Sequence, residues 1–260
     1  MTDTTALPSF LTALRLPSIA RNWKRITDTA DRDGWPAARV LATLLELEVA
    51  ERASRRIQRH RDQSELPAGK TFATFDFAAA PGVRKQHLLA LGAGGDWINN
   101  GDNLLVLGQS GTGKSHAVCA ICHAIIDAGR RVLFTRTTDM VQRLQTARRE
   151  LALASALDKL DKLDKYELIV LDDLSYVRKD QAETSVLFEL IAHRYERHSI
   201  AITANQPFSA WNEVFPDAAM TAAAVDRLVH HATIIEMNGD SFRKRFAIRR
   251  ATKDDEPTSK

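Results

Sequence analysis

Gly108-Gln109-Ser110-Gly111-Thr112-Gly113-Lys114-Ser115 fits the pattern G-x-x-x-x-G-K-[ST] at every position, the pattern of a phosphate-binding loop. Its flanks agree. Asn103 to Leu107 is a short, almost wholly apolar run of the kind a buried parallel strand needs, and His116 to Ala128 reads as a helix closed by Gly129. Strand, glycine loop and helix N-terminus together present free backbone N–H groups and a positive helix end to an anion. Within the loop, Lys114 is placed for the β- and γ-phosphates and the Ser115 hydroxyl for Mg2+. The expected cofactor-binding stretch is Gly108 to His116, and its ligand is a nucleoside triphosphate. Asn-Lys-x-Asp, the guanine-reading signature, does not occur in the sequence, which favours ATP.

Outward from the loop, apolar runs predict strands at 131–135, 167–171, 199–204 and 232–236, with helices over 139–165 and 181–198. Strands alternating with helices imply an α/β fold, a mainly parallel sheet covered by helices on both faces. Upstream, residues 9–61 read as helical, with breaks at Pro17 and at the turn Asp33-Gly34-Trp35-Pro36. The last of these helices is apolar first (Val40, Leu41, Leu44, Leu45, Leu47, Val49) and arginine-rich after (Arg52, Arg55, Arg56, Arg59, Arg61). Its apolar stripe is wide for so short a domain, so part of it is expected to pack on the body or on another subunit. Ser64 to Thr71, with Pro67 and Gly69, is the expected linker. The expected division is a helical N-terminal partner or oligomerisation domain at 1–66, an ATPase domain at 67–250 and a disordered polar tail at 251–260.

The 260 residues are 44% hydrophobic and 27% charged, ordinary values for a globular protein, and the net charge of +3 does not by itself imply nucleic acid. No apolar run reaches membrane-spanning length and no leader pattern opens the chain, so a cytoplasmic protein without membrane contact is expected. Two cysteines exclude a disulfide framework and a four-thiolate zinc site. They form Cys119-Ala120-Ile121-Cys122 inside the helix after the loop, flanked by His116 and His123; packing of the helix on the sheet is the favoured reading over a metal site.

The run Glu167 to Leu171 ends in Asp172-Asp173. Strand C-termini line the ligand crevice of such sheets, so both carboxylates are expected to face the phosphates. Asp172 is the expected Mg2+ residue, acting mostly through bound waters, and Asp173 is placed to orient and polarise the attacking water. Asn205 ends another strand, where a neutral amide can bond both γ-phosphate and water without adding charge; a turn residue is the equal alternative.

Four stretches carry a resemblance: ELIVLDDL (167–174), FELIAHRYER (188–197), TANQPFSAWNE (203–213) and VDRLVHHATIIEMNGDSFR (225–243). They resemble the IstB family of AAA+ ATPases, which assist insertion-sequence transposases and are related to DnaC-type helicase loaders. With RLPSIARNW and LLELEVAERASRRIQR the resemblance covers nearly the whole chain, to about residue 245. It implies ATP bound between subunits of an ATP-dependent homo-oligomer, duplex DNA binding by the assembly, and recruitment of a cognate transposase. It casts Asn205 as the γ-phosphate sensor and Arg227 as an arginine finger for a neighbour's ATP. Arg243 is a weaker candidate for a second sensor, because the chain ends too soon for a full AAA+ lid. Two positions depart from the family pattern. Asp173 stands where many AAA+ proteins have Glu, which implies slower hydrolysis, and Ser175 stands where relatives often have Gly.

For DNA, the basic helical region with Arg143, Arg148, Arg149, Lys159, Lys162 and Lys165 is the expected backbone-contacting surface, and the Arg52–Arg61 helix end is the alternative. Other functions remain in competition: a helicase loader, a small-molecule P-loop kinase and a nucleotide-gated scaffold without turnover.

Overall fold

The computed structural model of the chain describes residues 4–80, 82–149, 162–174, 181–207, 210–211, 217–239 and 241–242. These fall into two compact units, the first ending at Arg59 and the second beginning at His60.

The first unit is helical: α1 (Leu7–Ala13), α2 (Pro17–Asp33) and most of α3 (Ala37–Gln63). Pro17 opens α2, where its missing N–H is no loss, and Gly34 closes it at φ +65°, donating its N–H to Ala30 O. The next two α2 donors, Ser18 and Ile19, both bond Glu48 Oε2 of α3, at 2.8 and 3.2 Å. Glu48 is thus a helix cap supplied from another helix. Its burial raises the carboxyl pKa, but the Arg52 guanidinium and the two N–H groups outweigh that and hold it below the usual range. Leu11, Ile19, Ile26 and Ala30 make the small core.

The second unit is built on β1 (Asn103–Leu107), β2 (Val132–Arg136), β3 (Leu168–Asp172), β4 (Ser199–Ala204) and β5 (Ala232–Glu236), all parallel, in the order β2-β3-β4-β1-β5. β2 and β3 each begin and end one residue later than expected. β1 and β4 are buried along their whole length, because helices cover both faces. Those helices are α4 (Lys85–Gly92), α5 (Asp96–Asn99), α6 (Lys114–Asp127), α7 (Thr137–Arg149), α8 (Gln181–Arg194) and α9 (Ala218–Val229). Residues 150–161 of the expected 139–165 helix lie outside the described residues, and Asp164 and Lys165 form a turn.

Ser64 and its neighbours belong to the second unit for a plain reason. Ser64 O accepts the Phe134 N–H at 2.7 Å, so the expected linker begins by bonding β2. It then follows α6, where His123 Nε2 is 3.3 Å from Pro67 O and His116 Nε2 is 3.2 Å from Thr71 O. The two histidines beside the Cys-x-x-Cys pair therefore hold backbone. Both cysteines are fully buried, and burial pushes the Cys119 thiol up to about 12 and Cys122 well above its ordinary value, so both are neutral packing groups.

Arg194, fully buried at the end of α8, fastens the opposite end of the sheet. Its guanidinium donates to Leu163 O, Tyr166 O, Glu167 O and Ser199 O at 2.8–3.3 Å, with Asp164 at 3.9 Å. Burial lowers its pKa to about 10, which leaves it charged at neutral pH. Arg194→Met strands those carbonyls and is expected to lower the unfolding free energy by about 3–5 kcal/mol. Urea unfolding measures this, and a loss under about 1 kcal/mol contradicts it.

Candidate nucleotide-binding site

The chain reverses its direction of travel across the sheet beside β1, so the loops after β1, β3 and β4 meet at one crevice outside the strand ends. There Lys70, Ser110, Gly111, Lys114, Ser115 and His116 face Asp173, Thr203, Asn205 and Phe242 across a cleft of about 330 Å3. Two loop glycines are obligatory. A Cβ on Gly108 (φ +142°) would stand 2.2 Å from Met237 O, and one on Gly111 (φ +85°) 2.1 Å from Ser241 Oγ. The loop is pinned by the segment after β5, since Phe242 N donates to Gly111 O and Met237 N to Leu107 O. Lys114 Nζ donates to Gly108 O and Gln109 O at 2.6 and 2.8 Å, which holds the ammonium over the loop.

Ser115 and Asp172 meet: Ser115 Oγ donates to Asp172 Oδ1 at 2.8 Å. The same oxygen accepts Thr203 Oγ1–H at 2.6 Å, and the Thr203 hydroxyl accepts the Asp173 N–H at 2.9 Å. Leu174 N also bonds Thr203 O, and Thr137 Oγ1 bonds Asp172 O. Asp173 needs this support. Its φ of +64° is left-handed, a conformation Asp tolerates better than most residues but one the backbone does not prefer. Asn205 follows two residues after Thr203, and its Oδ1 is buried with no hydrogen-bond partner among the described residues. A buried amide oxygen without a partner beside a phosphate-type loop fits a donor that completes it, such as a water held against a phosphate.

Lys70, Thr203 and Phe242 were not foreseen. Thr203 was within reach, because a hydroxyl one residue before the end of a buried strand must find an acceptor. It is a positioning residue: Thr203→Val should cut turnover about 10- to 100-fold with nucleotide affinity little changed, the scale of a hydrogen bond to a charged group, and Thr203→Ser should restore most of it. Equal rates for the Val and Ser variants would remove that role.

A smaller recess of about 110 Å3 adjoins the loop, walled by Thr74, Phe75, Ala79, Ala80 and His116. The His116 ring meets Phe75 edge-on at 5.2 Å. Burial lowers the His116 pKa, so the imidazole is neutral at pH 7 and its Nε2–H serves Thr71 O; its expected place beside the nucleotide loop is combined with tying the linker to α6.

Arg227 stands apart from these groups. It lies half-buried on α9, which starts at the Asp217 cap; its NH1 donates to Ala223 O and its guanidinium sits 5.2 Å from the Phe188 ring centroid. Of the expected DNA contacts, Arg143 makes a two-pronged ion pair with Glu65 (3.2 and 2.9 Å), and Lys165 lies over the Tyr166 ring at 4.9 Å. Lys162 is exposed. The side chains of Arg148 and Arg149, together with Lys159, Ser175 and Arg243, lie outside the described residues.

A five-stranded parallel sheet of this order, with a complete phosphate loop after β1 and an acidic pair at the end of β3, defines a P-loop protein of the AAA+ class. Among solved structures the fold is similar to that of DnaI (TM-score 0.53, 17% identity, 70% of this chain and 98% of that one). It is also similar to AMPPCP-bound DnaA from Aquifex aeolicus (0.52, 17%, 76% and 59%). The chain belongs to the IstB-like ATP binding protein family, which matches residues 9–250. Among named relatives, an insertion-sequence ATP-binding protein of Sinorhizobium fredii is 59% identical over 246 residues, covering 95% of this chain and 82% of that protein. The corresponding IS5376 protein of Geobacillus stearothermophilus is 34% identical over 89% of this chain and 91% of its own length. No helix among the described residues is long and apolar enough to cross a membrane.

Proposed function

We propose that this chain is an ATP-dependent, DNA-binding AAA+ ATPase that helps an insertion-sequence transposase select and remodel its target. The observation that carries the ATPase reading is that Ser115, Asp173 and Asn205 line one cleft with the phosphate-type loop, while Asp172 is hydrogen-bonded to Ser115. Family membership and the names of the insertion-sequence relatives support the biological setting.

In this reading the loop N–H groups and Lys114 bind the β- and γ-phosphates, and the recess beside His116, with Phe75 and Ala80 for stacking and Asp76 as its acceptor, takes the base. Ser115 and Asp172 would hold Mg2+, which supplies neutralisation of phosphate charge. Asp173 accepts the proton of the attacking water, and Asn205 orients that water against the γ-phosphate. Thr203 keeps both acids in place. Assembly follows from the last requirement, a cation for the charge that develops on the γ-phosphoryl group, which Arg227 meets from a neighbouring subunit.

DNA binding is expected to need ATP and to be mostly backbone-directed. Affinity should fall steeply with salt, and Arg148→Ala with Arg149→Ala should flatten the log–log slope by about 2, roughly one unit per lost phosphate contact. Arg55→Ala with Arg56→Ala tests the alternative helix end. Binding that ignores both salt and nucleotide would refute the reading.

A further inference from the structure

We propose that the first unit carries a docking groove for an acidic, amphipathic helix of a partner protein. The groove, about 690 Å3, runs between the α1–α2 turn and the C-terminal half of α3, and five arginines line it: Arg15, Arg52, Arg55, Arg56 and Arg59. Its apolar wall is equally open, with Leu14 67% and Val49 66% exposed. Along α3, Leu41, Leu45 and Val49 continue into Arg52, Arg56 and Arg59 at spacings of four and three, so they share one face. That face is apolar in its first half and cationic in its second. Leu41 and Leu45 are 59% and 45% exposed, which makes it an uncovered helix face rather than a core stripe.

Charge names the occupant. Two carboxylates stand near the groove arginines and both are engaged: Glu48 by Arg52 Nε at 2.9 Å, Arg55 at 3.5 Å and the two α2 N–H groups, and Glu51 by its ion pair with Arg21. The side chains of Arg15, Arg56 and Arg59 make no hydrogen bond or ion pair among the described residues. Residues 1–59 hold ten Lys and Arg against seven Asp and Glu, a net +3, so a second copy of this unit would arrive with like charge. A nucleic-acid backbone would satisfy the arginines but leave Leu14, Leu41, Leu45 and Val49 in water. A helix with apolar side chains in one half of its face and carboxylates in the other satisfies both halves, in the manner of helix-in-groove recognition. The groove lies wholly within the first unit and the nucleotide cleft wholly within the second, so failure of one assignment leaves the other standing.

The test uses the full chain and fluorescence anisotropy with three probes. These are a designed helical peptide of about 20 residues with a leucine half-face and a glutamate half-face, its glutamate-to-lysine counterpart, and a duplex DNA oligonucleotide. The glutamate peptide should bind wild type in a salt-sensitive way. Arg56→Glu with Arg59→Glu should weaken it by at least about tenfold, as should Val49→Asp, and the doubly reversed chain should gain binding of the lysine peptide. That gain also shows the variant is folded. Equal affinity of wild type for the two peptides overturns the assignment. So does loss of duplex DNA but not peptide from the reversed chain, which marks a nucleic-acid surface. A fall in particle mass on charge reversal overturns it as well, since it marks a second copy as the occupant.

Discussion

Lys114→Ala is expected to abolish ATP turnover and to weaken nucleotide binding. The ammonium already sits over the loop, held by two loop carbonyls, and no other cation of the loop can take its place at the phosphates. Loss of one oriented charge-stabilising group costs on the order of 100-fold or more in rate. Asp173→Asn separates the two effects: it keeps the backbone N–H bond to Thr203 and removes the base, so nucleotide should bind normally while hydrolysis stops. Phosphate release and fluorescent-nucleotide binding, measured on both variants, check this. Near-normal hydrolysis by either one contradicts the assignment of its residue.

An effect of similar size is expected from Arg227→Ala, with ATP binding retained. Arg227 lies on α9, bonded to its own helix and beside Phe188, and is absent from the groups that line the cleft of its own chain. A planar, permanently charged guanidinium suits the charge developing on a transferring phosphoryl group, and trans-acting arginines supply about 10^3- to 10^5-fold in other P-loop enzymes. The test mixes Lys114→Ala subunits with Arg227→Ala subunits. Each is dead alone, but mixed interfaces pair an intact loop with an intact arginine, and activity should partly return. A co-assembled mixture as inactive as its parts would place Arg227 outside the shared site.

Most of the sheet was legible because β1, β3 and β4 are buried almost throughout and read as unbroken apolar runs, whereas β5, a half-exposed edge strand, showed only through its short apolar run. β1, β4 and β5 lie at the residues expected, and β2 and β3 begin one residue late because Arg131 and Glu167 are charged residues bordering the runs. The phosphate loop and Asp172 were legible for a different reason: their chemistry demands fixed residue types at fixed spacing. What escaped is tertiary. Thr203 reaches Asp172, Arg194 reaches Tyr166 and Glu48 reaches Ser18, 31, 28 and 30 residues away in sequence, through hydroxyl, guanidinium and carboxylate bonds that leave no periodic trace. Packing was the favoured reading of Cys119 and Cys122, and both are buried; the sequence did not show that His116 and His123 each meet a carbonyl of the segment laid along α6. Alanine-rich α9, capped by Asp217, offered little apolar period and was not among the expected helices. Arg143 looked like one basic residue among several until the fold brought Glu65 to it.

In the proposed function this protein is a nucleotide switch organised by DNA. One paired measurement tests it most directly: ATPase rate and particle mass of the wild-type chain, with and without duplex DNA. DNA and ATP together should raise the mass to that of an oligomer and raise the rate with it, and dilution below assembly should remove the activity. A monomer that hydrolyses ATP at a rate indifferent to DNA and to concentration would contradict it.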